Sequence, residues 1–158
     1  MDTIQQAIFY TEQNLKQFLY NFSFVPDDKL NWSPSPTART PMQILSHTAV
    51  IAQSLVSMLN GIGSDASLET VLASLKKAES ELTDREQAIM VLKDGVSKAL
   101  EAMKALKPEQ LSTIVNHPFM NAPIATWMNL YWRHLDMHTA QIEYLQSCWG
   151  DNEFHFAG

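Results

Sequence analysis

Cysteine is almost missing from this sequence, with Cys148 standing alone in 158 residues. One thiol excludes an intrachain disulfide framework and suits a reducing compartment. Glycine is scarce too, at five, and the strand-turn-strand punctuation of a β protein does not occur. Apolar runs of ~18 residues or more are absent, so no transmembrane helix is expected. The opening stretch, MDTIQQAIFYTEQN, lacks the positive segment and small-residue cleavage site of a secretory leader. The cytoplasm is therefore the expected location. Positive charge is sparse and scattered: eleven Lys and Arg stand against seventeen Asp and Glu, for a net charge of −6. That argues against a nucleic-acid binder, which carries a clustered basic footprint.

What is present is a soluble-type composition, 46% apolar and 18% charged, in a length that suits one domain spanning residues 1–158. Helical periodicity dominates. Ile4, Ala7, Ile8, Thr11, Leu15, Phe18 and Leu19 mark a first helix from Thr3 to about Tyr20, with Asp2 as its N-cap. The connector VPDDKLNWSPSPTART carries Pro26, Pro34 and Pro36 and reads as loop. Thr40-Pro41-Met42-Gln43 then sets an N-cap threonine, an N1 proline and an N3 glutamine in register as a capping box. The stripe Ile44, Thr48, Ile51, Ala52, Leu55, Leu59 follows and ends at Asn60-Gly61. A short extra helix is expected over Ser67–Ala78. A third long helix is expected from the Thr83–Glu86 capping box to about Leu106, and a last one from about Ala122 to Trp149 with Pro123 in its first turn. Residues 111–115, in the connector between these two, read as extended. Four amphipathic helices make an all-α four-helix bundle.

The chemistry-bearing residues lie on the inner stripes. His134 and His138 are one turn apart on the last helix, and His47 falls between Ile44 and Ile51 on the second. An i,i+4 histidine pair alone has a bland reading, two hydrogen-bonded core residues, because five histidines produce such a spacing by chance in about one such chain in eight. Three inward imidazoles on facing helices change the balance. Each ring nitrogen left unsatisfied in an apolar core costs about 1–3 kcal/mol, and a shared cation removes much of that penalty. Helices at i,i+4 bring Cβ atoms within about 5–6 Å, which lets two imidazoles reach one ion.

The segments NWSPSPTARTPMQILSHTA and HLDMHTAQI together resemble the DinB/YfiT-like family of metalloenzymes: an extended W-x-P segment, a histidine early in the second helix, and HxxxHxxQ on the last. The likeness spans essentially the whole chain. It implies an up-down-down-up four-helix bundle, often a homodimer, with a divalent metal held at His47, His134 and His138. Zinc or nickel comes first and iron or manganese next; the residues alone do not name the metal, since imidazole suits zinc, nickel, copper and iron alike. It also implies a metal-dependent thiol S-transferase, working with a small-molecule thiol and an electrophilic substrate, or a hydrolase-like enzyme. Three nitrogen ligands leave a coordination position open, the pattern of a catalytic site. The alternative is a non-catalytic bundle whose metal staples two helices, serving as a stress-related or interaction module.

Around this triad, Gln141 is expected to contact His138 and Trp127 and Tyr131 to wall a pocket, with core packing as their plainer role. Arg39 and His117 are the candidates for contact with substrate. Asp136 belongs to a solvated face, His155 to a surface tail, and Cys148 to a half-buried structural position. The tail FHFAG, with Trp149, offers apolar surface for a dimer. No carboxylate suggests itself as a general base.

Overall fold

The helices start where side-chain caps place them. In the computed structural model, which describes residues 1–158, Asp2 accepts the Gln5 N–H at 2.8 Å and opens α1, Thr3–Phe22. Thr40 and Gln43 cap α2, Pro41–Ser54, reciprocally at 3.2 and 2.9 Å. A further turn, α3 (Val56–Leu59), continues α2, and Gly61 leaves it at φ 75°. Ser67 caps α4, Leu68–Glu81. Asp84 caps α5, Arg85–Ala105, by accepting from Gln87 N–H at 2.8 Å. The cap is thus one residue later than the expected Thr83, because the Asp84 carboxylate closes onto N3 and places a negative charge at the helix's positive end. The last helix, α6, runs Ile124–Cys148. Ala122 and Pro123 precede it as a two-residue strand, β2, paired antiparallel with β1, Ile114–Val115. Pro123 is therefore the residue before α6 rather than part of its first turn.

Contacts along the helices fix their directions. Tyr10 meets Trp132 at 5.1 Å between ring centroids. Further along both helices, Asn21 donates to Glu143 at 2.9 Å and accepts from Gln146 at 3.1 Å. So α1 and α6 run parallel. Arg85, at the start of α5, reaches Val25 and Asp27 in the connector leading to α2, while α3, beyond the far end of α2, packs on α5. α2 and α5 are therefore also parallel, and the order is up-down-down-up. Parallel neighbours cannot be joined by a tight turn, so the chain must travel back along the bundle. α4 is that return segment, and it packs on α2.

The apolar stripes meet in one cluster containing Phe18, Phe22, Leu45, Leu92, Met103, Trp127 and Leu135. Each large apolar side chain buried there contributes about 1.5–3 kcal/mol. The stretch Pro41–Leu59 has a mean hydropathy of 1.3, high enough on length and composition to cross a membrane, but 61% of it is buried in this core. Its apolar residues face other helices of the same chain.

The C-terminal tail folds back. Gln17 on α1 binds the backbone of His155 and Ala157. The His155 ring stacks on Phe24 at 3.9 Å and pairs with Asp151 at 2.9 Å. His155 is consequently a half-buried docking residue and not the surface histidine expected, while Phe154 and Phe156 on either side are exposed. Trp149 packs edge-on against Trp32 within the chain. Cys148 is exposed rather than half-buried, because it sits on the outer face of the last turn of α6.

Candidate metal centre

The Thr40 capping box sets the phase of α2 so that His47, two turns in, faces α6. There His134 and His138 stand one above the other. Their ligand atoms all lie within 4.8 Å of one another. His134 Nε2 is 3.2 Å from His47 Nε2 and 3.0 Å from His138 Nε2. Three ring nitrogens from two helices, 87 residues apart in sequence, converge on one point.

The opposite ring nitrogens fix the proton count. His47 Nδ1–H donates to Glu79 Oε1 at 2.6 Å, and His138 Nδ1–H donates to Gln141 Oε1 at 2.7 Å. With those protons on Nδ1, each neutral ring presents a lone pair at Nε2. Only His134 Nε2 can then carry a proton into the cluster, and one proton cannot satisfy two facing lone pairs. Converging lone pairs on neutral imidazoles are the donor set of a cation site, and the outer acceptors that fix each tautomer are its usual support. The residues present fit a divalent ion.

Burial keeps the rings neutral. It is the main cause that pushes His134 down to about 3 and His138 to about 4, with mutual repulsion of the histidines and the nearby Arg39 charge adding to it. His47 is lowered by burial as well, against the opposing effect of the hydrogen bond it donates to Glu79. The sign of the pH effect follows. In the unfolded chain these histidines protonate near 6.5, so between that value and about 4 the unfolded state binds more protons. Metal-free protein is expected to keep its full stability above pH 6.5 and to lose it progressively as the pH falls below that. Urea unfolding of chelated protein at pH 7.5, 6 and 5 tests this. A His134→Ala/His138→Ala variant should show a shallower pH slope, and equal slopes would refute the assignment.

Glu79 is the site residue that sequence reasoning missed. The expected extra helix stopped at Ala78, whereas α4 continues to Glu81. The available signal was the spacing Leu72, Leu75, Glu79, which puts a carboxylate on the apolar face of a short helix. Only the return path of α4 along α2 brings that face to His47.

The remaining candidates divide clearly. Gln141 stands where expected, against His138. Arg39 lines the opening beside His47 and His134. Trp127 and Tyr131 are buried in the core and do not line that opening; they have the core packing expected as their plainer role rather than the place of pocket walls. Tyr131 instead donates its hydroxyl to Ala52 O at 2.9 Å, behind the histidines. His117 is turned toward Trp127, 5.5 Å between centroids, and its Nδ1 accepts from Phe119 N–H at 3.3 Å. Its loop thus contributes Phe119, not His117, to the opening. Asp136 is exposed.

That opening is a cavity of about 560 Å³, lined by His47 and His134 together with Ile51, Leu55, Leu75 and Leu130. Its size suits a small organic molecule.

Comparison with known proteins places this arrangement. No curated protein matches the chain. Its fold recurs in solved structures, among them the following three. YfiT from Bacillus subtilis, described as a probable metal-dependent hydrolase with an unusual four-helix bundle topology, aligns with a TM-score of 0.75 at 17% identity, covering 93% of this chain and 87% of that one. A DinB-like protein from Bacillus subtilis aligns at 0.69 and 14% identity, over 96% and 97% of the two chains. A conserved protein from Enterococcus faecalis aligns at 0.70 and 16% identity, over 92% and 96%. The model of the DinB superfamily matches residues 10–142, a span that includes the three histidines, Glu79 and Gln141, and the chain belongs to that superfamily.

Proposed function

We propose that His47, His134 and His138 hold a divalent metal ion and that the protein is a metal-dependent enzyme of the hydrolase type. The observation that carries this reading is the convergence of three Nε2 atoms with at most one proton among them, beside a cavity of ligand size. A divalent ion with three nitrogen ligands supplies Lewis acidity, lowering the pKa of a water or thiol bound to it toward neutrality. The chain's own residues do the rest. Glu79 and Gln141 hold the His47 and His138 rings in one tautomer. Apolar side chains exclude bulk water from one side of the site, and the cavity positions an electrophile near the histidines. YfiT, of the same fold, bears the description of a probable metal-dependent hydrolase, which supports the same class here.

The test is turnover of activated esters by protein loaded with zinc or nickel, stripped with chelator, and reloaded, each with and without a low-molecular-weight thiol. Turnover that vanishes on stripping and returns on reloading is expected. Turnover that requires the thiol would reassign the enzyme to thiol S-transfer. No turnover, together with a large fall in Tm on stripping, would establish the metal as a structural staple instead.

A further inference from the structure

The cavity beside the histidines is asymmetric in a way that selects a ligand. One side is apolar: Ile51, Leu55, Leu75 and Leu130 line it, and Leu72 and Phe119 extend it to the surface, where they are 50% and 42% exposed. On the other side stand Arg39 and Lys76. Neither cation takes part in an ion pair. Both also line a second, polar recess of about 400 Å³ that adjoins the cavity and shares Glu79 with it. Glu79 is the one carboxylate present, and it is engaged by His47. With neutral histidines the cavity wall therefore carries a net positive charge, in a chain whose overall charge is −6. A divalent ion at the triad would raise that local charge further.

Each alternative leaves something unanswered. A cation would meet Arg39 and Lys76 directly. A small hydrophilic anion would leave the apolar wall in contact with water. A neutral apolar molecule would leave Arg39 and Lys76, both exposed at the rim, with no part in recognising it. We propose that the cavity binds an amphiphilic organic anion, its apolar body against Leu72, Leu75, Leu130 and Phe119 and its carboxylate-like group between Arg39 and Lys76. Arg39 supplies a planar pair of donors for such a group and Lys76 a mobile point charge. The metal-dependent reading makes this anion the substrate class. The binding itself rests on the cavity alone.

The two readings fail separately in one experiment. Octanoate and its neutral equal-length analogue 1-octanol are titrated calorimetrically into the full-length protein at low salt. The protein is used zinc-loaded, with its zinc content measured, and zinc-free. Zinc-free protein is expected to bind octanoate at least tenfold more tightly than octanol. An Arg39→Ala/Lys76→Ala variant should lose that preference while keeping its zinc content. A Leu72→Glu variant, altering a half-exposed side chain at the mouth, should weaken both probes and so place them in this cavity. Equal affinity for the two probes, a preference that survives loss of both cations, or the absence of saturable octanoate binding would each overturn the proposal. Stoichiometric zinc with no preference for the anion would leave the metal centre standing without this substrate class. An anion preference in protein that takes up no zinc would do the reverse.

Discussion

Purified protein is expected to carry close to one divalent ion per chain, and the His134→Ala/His138→Ala variant essentially none. Elemental analysis of both proteins after identical purification makes the comparison. The effect should be large because the two substitutions remove two of three converging nitrogens and leave His47 as a lone imidazole. Substitutions around the ligands should produce a graded series. Glu79→Gln keeps the size of the side chain but removes the charge that holds the Nδ1 proton of His47 at 2.6 Å. A partner of this kind is worth roughly 10–100-fold in metal affinity, and that loss should appear with no change in fold. Gln141→Ala, which frees His138, should fall between Glu79→Gln and the wild type, because a neutral acceptor polarises the ring less than a carboxylate does. Circular dichroism of each variant separates loss of ligands from loss of structure. Equal metal in the wild type and the double-histidine variant would sink the assignment.

The second large effect is expected far from any polar chemistry, at Gly95. This residue is buried in the middle of α5, where α5 lies directly on α2. A Cβ built there would come within 2.9 Å of the backbone carbon of Ala52 and the backbone nitrogen of Gln53. Those are main-chain atoms of a helix and cannot swing aside. Gly95→Val would force α2 and α5 apart or bend one of them, at a cost of about 2–3 kcal/mol. For a chain of this length that corresponds to a Tm lower by roughly 5–10 °C. Because α2 carries His47, displacement of α2 should also reduce metal affinity, while Ser97→Val on the exposed face of the same helix should change neither. A Gly95→Val protein as stable as the wild type would mean that the two helices do not approach as described.

The close helix contact at Gly95 had no clear signal in the sequence. A glycine inside a helical pattern reads as a mild weakness, about 1 kcal/mol relative to alanine. Its value lies in a neighbour 43 positions away that periodicity does not name. The main elements were legible for the opposite reason. Asp2, Thr40 with Gln43, and Ser67 cap their helices through contacts three residues long, and such contacts are written in the local sequence. Asp84 took the place of Thr83 as a cap because both residues qualify locally, and one hydrogen bond decides between them.

The site divides along the same line. The inward phase of His47, His134 and His138 follows from the apolar stripes on either side of them, so the sequence by itself determined the ligand set that three nitrogens could form, as well as the four long helices that carry it. It also placed Gln141, which lies one turn from His138 on the same helix. Tertiary structure decided everything that depends on which helix lies beside which. The return of α4 along α2, required by two parallel neighbours, brings Glu79 to His47. It also encloses the cavity and adds Lys76 to the wall that Arg39 lines. The same packing moved Trp127 and Tyr131 behind the histidines, put Phe119 where His117 had been expected, and docked His155 on Phe24. A stripe specifies the direction in which a side chain leaves its own helix axis. What it meets there depends on the path of the chain between helices, and that path is fixed by packing across the whole bundle.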